Sequence, residues 1–302
     1  MTNKAKGNWA LLLTAALWGT GFIAQKLGNE VMPPMAFNAI RQLMAAVVLC
    51  PVLAVSLKKS GYLSRETNTA DQLLHRKKRI LTGGFICGML LMLGSMTQQI
   101  GLVTVSAGKS GFISSIYIVF VPLFSVLLGR RVTGRTFFCV VLAMIGFAFL
   151  SLKGGLGNVT AGDWWTLLSA AGFAAQIIAV NQFVDKDNDI LLSVLQMAFC
   201  GIIGLIIAIA IEHPTGAQIT AAMPALIFST LVPTAGGYTL QIVGEKYADP
   251  STSALIMSLE AVFAAIFGML FLSERMAGRE IIGCVIIFAA IIISQLDRTE
   301  EK

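Results

Sequence analysis

Polar and aromatic side chains recur at helical spacing inside segments that are otherwise apolar. Trp18, Phe22 and Gln25 form one such set, at positions i, i+4 and i+7. Residues at this spacing share one face of a helix. Four further sets have the same spacing: Ser110, Ser114 and Tyr117; Ser169, Phe173 and Gln176; Thr234, Tyr238 and Gln241; and Ser253, Met257 and Glu260. Uncompensated polar groups are costly in hydrocarbon, so we expect these faces to point into a helix bundle.

Hydroxyl and amide groups on converging helix faces suit the binding of a small polar molecule, with aromatic rings shaping the cavity. The alternative is hydrogen bonding between helices, worth roughly 0.6 kcal/mol per contact. Five converging faces favour a binding site over packing alone. We predict that its lining is Trp18, Phe22, Gln25, Arg41, Gln98, Ser114, Tyr117, Gln176, Tyr238, Gln241 and Glu260.

Two charges, Arg41 and Glu260, lie deep inside apolar segments. Counted from opposite ends, their depths are about 10 Å and about 15 Å at 1.5 Å per residue, in a hydrocarbon core about 30 Å thick. An ionisable group at such depth is a functional hypothesis by default. The structural alternative is an Arg41–Glu260 ion pair that neutralises both. An anionic substrate could displace Glu260 from such a pair, or Glu260 could carry a proton.

The residues needed for common enzyme chemistry are missing from these segments. The only histidines, His75 and His213, and all seven aspartates fall in predicted loops or tails. No nucleotide-binding, zinc-protease or clustered metal-ligand motif is present. The five cysteines are isolated in apolar stretches, as small buried hydrophobic residues are. We therefore expect neither an enzyme nor a cofactor.

Composition indicates the elements that hold these residues. The 302 residues are 56% hydrophobic and only 13% charged, whereas soluble domains carry roughly 25% charged residues. The apolar runs are too long for barrel strands, which take about ten residues each. We predict an all-α integral membrane protein of ten transmembrane helices, over 8–27, 35–56, 80–101, 108–128, 135–152, 164–184, 190–211, 223–243, 251–272 and 280–296.

The distribution of Lys and Arg predicts the orientation. With the N-terminus in the cytoplasm, the inner loops and both tails hold sixteen of these residues and the outer loops hold five. This bias favours two cytoplasmic termini. The net charge of +6 reflects this arrangement between apolar runs and gives no reason to expect a nucleic-acid partner.

The two halves of the chain, 1–155 and 156–302, resemble each other. Residues 8–25 align with 163–180, and 127–135 align with 271–279, in the same order within each half. Five spans per half mean that the second half enters the membrane from the opposite side. We therefore predict a 5+5 inverted repeat, which provides the two related arrangements required for alternating access.

These segments resemble the drug/metabolite transporter superfamily, in its ten-span EamA-type branch. The resemblance lies in ALWGTGFIAQKL at 16–27, FNAIRQLMAAVVLCPV at 37–52, VPLFSVLLGRRVTGR at 121–135 and FAAIFGMLFLSERMAGR at 263–279. It implies an inverted repeat, cytoplasmic termini, a central cavity shared by both halves, and export of amino acids or other polar metabolites. Arg130 departs from the pattern, where an acidic residue is usual, whereas Glu274 keeps it.

The leading hypothesis is a secondary transporter in a bacterial plasma membrane that exports an amino acid or similar small polar metabolite by alternating access. Its partners would be the substrate and membrane lipid, with proton coupling through Glu260 left open, as a monomer or a homodimer. Export of cationic drugs, with Glu260 as the cation partner, is an alternative. A flippase for lipid-linked intermediates and a receptor that transports nothing are two more.

Overall fold

A computed structural model describes residues 3–63, 69–127, 134–151, 159–185, 189–248 and 250–295. Every regular element in these ranges is a helix, so the all-helical prediction is confirmed. The first half contains α1 (Asn3–Asn29), α2 (Pro34–Ser60), α3 (Ala70–Gly101), α4 (Ala107–Ser114), α5 (Tyr117–Leu127) and α6 (Gly134–Ser151). The second half contains α7 (Ala161–Phe183), α8 (Asp189–Ile211), α9 (Gly216–Ala221), α10 (Met223–Ser229), a π-helix (Thr230–Tyr238), α11 (Thr239–Glu245), α12 (Pro250–Met257), α13 (Glu260–Phe271) and α14 (Gly278–Gln295).

Eight helical stretches within the described ranges are long and apolar enough to cross a membrane, and the chain is a multi-pass membrane protein. These stretches are Ala5–Asn29, Pro34–Ser60, Ala70–Gly101, Ala107–Val126, Ala161–Phe183, Asp189–Ile211, Met223–Glu245 and Pro250–Phe271. The other two predicted segments form α6 and α14, which pack against each other. A total of ten spans stays a prediction. The junction of the halves at 155 and the loop that contains Arg130 lie outside the described residues.

Local sequence explains where several helices begin and end. Pro34 opens α2, where its missing N–H costs nothing. Gly61 ends α2 at φ 61°, a left-handed conformation that suits glycine. Thr69 and Thr160 each accept a hydrogen bond from the backbone three residues later and so cap α3 and α7.

The core lies between the two halves of the chain. Helix α3 packs against α7 and α8, whereas α1 packs against α11, the π-helix and α13. Small residues allow the closest of these approaches, since the backbone of Gly94 on α3 lies beside Gly172 on α7. Gly84 and Gly88, one turn apart on α3, lie against α8. Side chains on opposite halves are thereby brought to a common centre.

Three irregularities interrupt the helices in the membrane. Two residues in a turn, 115 and 116, separate α4 from α5, and another two, 258 and 259, separate α12 from α13. The π-helix Thr230–Tyr238 contains Pro233 and divides a third span. Such breaks free backbone groups and often mark functional sites. Tyr117 and Glu260 are the first helical residues after the two breaks.

Candidate functional site

A small cavity lies at the centre of the bundle, where the halves meet. Its volume is about 20 Å³, close to the space that one water molecule requires. An amino acid therefore needs helices or side chains to move before it fits. The lining residues are Trp18, Phe22, Gln25, Arg41, Gln98, Phe173, Pro233, Tyr238 and Glu260. Seven of the eleven predicted site residues are among them, drawn from both halves.

Arg41 is 2% exposed and is held by neutral acceptors. Its Nη2 donates to Asn38 Oδ1 at 2.8 Å and to Gln25 Oε1 at 3.2 Å. Its Nη1 donates to Thr234 Oγ1 at 3.2 Å. These bonds orient the guanidinium, but none supplies a negative charge. Arg41 therefore presents an oriented guanidinium at the cavity wall, with no ion-pair partner among the described residues.

Glu260 supplies the opposite charge to the same cavity and is 3% exposed. The hydroxyl of Tyr117 is buried close to it, without a hydrogen bond of ordinary geometry. Among the residues that the structure describes, no ion pair joins Glu260 to Arg41. The two side chains line one space without bonding to each other. The predicted structural alternative, an Arg41–Glu260 ion pair, is not formed in this conformation.

The aromatic part of the wall is built around the π-helix. Trp18 Nε1 donates to the carbonyl oxygen of Pro233 at 3.1 Å. The Trp18 and Tyr238 rings lie 5.1 Å apart, tilted by 58°, within the range of favourable ring pairs. Phe22 and Phe173 complete the apolar surface. Trp18 thus connects α1 of the first half to the irregular backbone of the second.

Gln98 connects the cavity to the broken span α4–α5. Its Nε2 donates to Ser114 Oγ at 3.0 Å, and Ser114 Oγ lies 3.5 Å from Ser169 Oγ on α7. Ser114 was predicted to line the site, but it supports Gln98 from behind the lining. Tyr117 likewise lies behind the lining, beside Glu260.

Gln176 and Gln241 also lie outside the cavity lining. They bond to each other, with Gln241 Nε2 donating to Gln176 Oε1 at 3.0 Å. Gln176 Nε2 donates in turn to Gln196 Oε1 at 3.1 Å. Gln241 Nε2 also donates to Glu245 Oε1 at 2.8 Å. The two predicted glutamines therefore form a polar chain that leads from the cavity region to a second buried carboxylate, Glu245.

Three residues of this region were absent from the predicted set. Phe173 was on a predicted helix face, as the counterpart of Trp18, but was not selected. Pro233 lines the cavity because a π-helix surrounds it, and no spacing rule signals this. Glu245 was placed in a loop because the predicted span ended at 243, whereas the helix continues to Glu245. The sequence signal that could have identified Glu245 is its position four residues after Gln241, on the same face of a helix.

The chemistry of the lining suits a charged polar molecule. Arg41 offers donors that suit a carboxylate, and Glu260 offers acceptors that suit an ammonium group. Among the described residues, no group of three or more His, Cys, Asp or Glu side chains is arranged to hold a metal ion.

The chain is similar over most of its length to two proteins named as transporters and to one solved structure. A protein of Archaeoglobus fulgidus, named an uncharacterized transporter, is 30% identical over 288 residues, which cover 95% of this chain and 84% of the relative. The uncharacterized transporter YoaV of Bacillus subtilis is 22% identical, with 97% of each chain covered. A solved crystal structure shares the fold at a TM-score of 0.66 and 17% identity, covering 99% of this chain and 98% of its own.

The EamA-like transporter family matches the chain twice in succession, over residues 5–152 and 160–296. Together the two matches span nearly all of the 302 residues. The resemblance inferred from the sequence is thereby confirmed, and the chain belongs to the EamA-like transporter family.

Proposed function

We propose that this chain is a secondary transporter that exports a small zwitterionic metabolite, such as an amino acid, across a bacterial plasma membrane. One observation carries the proposal: Arg41 and Glu260 line the same buried cavity without forming an ion pair. Charges that are costly to bury are retained in membrane proteins where they serve a substrate or ion pathway. A zwitterion supplies a partner for each of them.

The substrate's carboxylate binds Arg41 and its ammonium group binds Glu260. The guanidinium is already oriented by Asn38 and Gln25, so little side-chain freedom is lost on binding. Trp18, Tyr238 and Phe173 contact the substrate's side chain. Because the cavity is only about 20 Å³, this conformation is closed around the site, and substrate enters when the bundle opens at one end.

Alternating access through an inverted 5+5 repeat is part of the proposal. The packing of the two halves supports this repeat. Helix α1 packs on the span of the second half that contains the π-helix, and the corresponding helix α7 packs on α3 of the first half. The corresponding helices α2 and α8 also pack together, as do α6 and α14. The two consecutive family matches support the division into halves 1–155 and 156–302.

Three matched ligands test the charge requirement in proteoliposomes. They are a free amino acid, its N-acetyl derivative without the positive charge, and its amide without the negative charge. Each is loaded at equal concentration, and its loss from the lumen is followed by mass spectrometry against protein-free vesicles. We expect selective loss of the free amino acid.

Arg41→Gln and Glu260→Gln then assign the two charges. Arg41→Gln lowers transport of the free amino acid at least tenfold, because one charge-assisted hydrogen bond contributes about 1.5–3 kcal/mol. Glu260→Gln lowers it as well, and the N-acetyl derivative becomes the better relative substrate. Preferential loss of the amide from wild-type vesicles contradicts the proposal and favours cation export. Equal retention of all three ligands contradicts export of this substrate class.

A further inference from the structure

Glu245 is a buried carboxylate that the proposed substrate site does not use. It ends α11 and is 2% exposed. One oxygen, Oε1, accepts a hydrogen bond from Gln241 Nε2 at 2.8 Å. The other oxygen, Oε2, is buried and has no hydrogen-bond partner in the described part of the chain. A buried acceptor of this kind is costly and points to an occupant.

Glu245 also borders a polar vestibule at one end of the bundle. The vestibule has a volume of about 510 Å³ and is lined by Asn181, Val184, Asp185, Glu245, Lys246, Tyr247 and Ala248. The charge distribution predicts that this end faces the cytoplasm. The carboxylate therefore lies between water-accessible space and the polar chain that leads inward.

Two described basic side chains near the vestibule are bound to other carboxylates. Lys246 pairs with Asp189 at 2.5 Å, and Arg79 pairs with Asp185 at 2.6 Å. Within the described ranges, no basic side chain forms an ion pair with Glu245. Among the described residues, Glu245 therefore has no fixed basic partner.

We propose that Glu245 binds the proton that is exchanged for substrate, taking it from or releasing it to the vestibule. The proposal rests on the proposed transport function, and it assigns the proton to Glu245 while Glu260 binds the substrate. On protonation, an O–H bond forms at Oε2 with a proton from hydronium in the vestibule, which leaves as water. Deprotonation is the reverse transfer.

Gln241 provides a route from this proton to the substrate cavity. An ionised carboxylate only accepts hydrogen bonds, whereas a protonated one also donates. The present bonds have Gln241 donating to both Glu245 and Gln176. When Glu245 is protonated, its new O–H requires an acceptor, and rotation of the Gln241 amide presents its oxygen. Gln241 lies one turn beyond Tyr238, which lines the substrate cavity, so the rotation alters that wall.

Other ionisable groups face Glu245 from neighbouring elements. Cys87 on α3 and Tyr117 on α5 lie within electrostatic range, and Asp185, Lys246 and Tyr247 share the vestibule. Asp185 and Lys246 are held in ion pairs. Glu245 is the carboxylate in this set that combines burial with an unpartnered oxygen in the described part of the chain.

The test compares wild type with Glu245→Gln, which mimics the protonated form, in proteoliposomes. Exchange of labelled for unlabelled amino acid at equal pH reports the substrate site. Accumulation driven by a pH gradient reports coupling. We expect Glu245→Gln to retain exchange and to lose gradient-driven accumulation at least tenfold. Glu245→Asp keeps a titratable group and restores part of the accumulation. Glu30→Gln, at an exposed position, is the matched control.

An infrared pH titration provides a readout that needs no substrate. We expect one component of the carboxyl C=O band to appear on acidification of wild type and of Glu30→Gln, and to be missing from the band of Glu245→Gln. The proposal is overturned if Glu245→Gln accumulates amino acid as well as wild type does, or if its carboxyl band is the same as that of wild type. It is also overturned if exchange by wild type does not depend on the pH gradient. If the band is lost as expected but no amino acid is exchanged by wild type, the proposed function fails while the proton site stands.

Discussion

At the scale of single residues, neutral groups replace the counter-ion at the centre of the site. Asn38, Gln25 and Thr234 satisfy the donors of Arg41 without cancelling its charge. A full ion pair would satisfy both charges internally and reduce their attraction for a ligand. The observed arrangement leaves the guanidinium of Arg41 available to attract a charged ligand, as the proposed function requires.

The substitution Trp18→Phe tests whether the π-helix is stabilised by the hydrogen bond from the Trp18 side chain. Trp18→Phe keeps an aromatic ring but removes the N–H that donates to the Pro233 carbonyl. Leaving that buried acceptor without this donor costs about 1–3 kcal/mol. We expect a lower thermal unfolding midpoint in detergent. Trp9→Phe, at a ring that is 62% exposed, is the control. Equal midpoints for the two variants would show that the bond to Pro233 contributes nothing.

At the scale of elements, two helices begin on carboxylates supplied by distant parts of the chain. Glu274 accepts hydrogen bonds from the backbone N–H groups of Ala107 and Gly108 at the start of α4, at 2.7 and 3.1 Å. Glu212 does the same for Met35 and Ala36 near the start of α2, at 3.0 and 2.8 Å. Negative charge is favourable at a helix N-terminus. The acid retained in the family-like segment thus joins α4 to the loop after α13.

Removing this cap is expected to weaken the junction between α4 and α13. Glu274→Gln keeps the shape of the side chain but loses its charge and one acceptor, at a cost of about 1–2 kcal/mol. We expect a lower unfolding midpoint in detergent, measured beside Glu30→Gln, which changes an exposed carboxylate. A midpoint equal to that of wild type would mean that the interaction of Glu274 with α4 is replaced by water.

At the scale of the whole molecule, packing between the halves places the site. Residues of α1, α2 and α3 line the cavity together with residues of α7, the π-helix and α13. A change in how the halves pack therefore changes the cavity. This is the physical requirement for a site that opens to each side in turn.

Orientation is predicted from charge and can be tested in intact cells. Both termini are expected in the cytoplasm, because the basic residues are concentrated in the loops on that side. The loop after α8 is then outside. An epitope inserted at Thr215 of the full chain should bind antibody in intact spheroplasts, and a C-terminal epitope should bind only after permeabilisation. The reverse pattern would show the opposite orientation and place the Glu245 vestibule outside.

Much of this protein follows from its sequence alone. Helical period, hydropathy and the cost of burying polar groups are local properties, so they predicted the helices, the inward faces and the depth of Arg41 and Glu260. They also placed seven residues that do line one cavity. The family resemblance followed from short segments that include Trp18 and Glu274.

Tertiary structure decided how these residues are used. Whether Arg41 meets Glu260 or neutral acceptors depends on how α2, α13 and the π-helix are placed relative to one another. Gln176 and Gln241 lie on inward faces as predicted, but contact between α7 and α11 directs them to Glu245. The burial of Glu245 depends on two more helical residues and on neighbours from other helices. Periodicity within a segment carries no information on such contacts, because they are set by the packing of one half against the other.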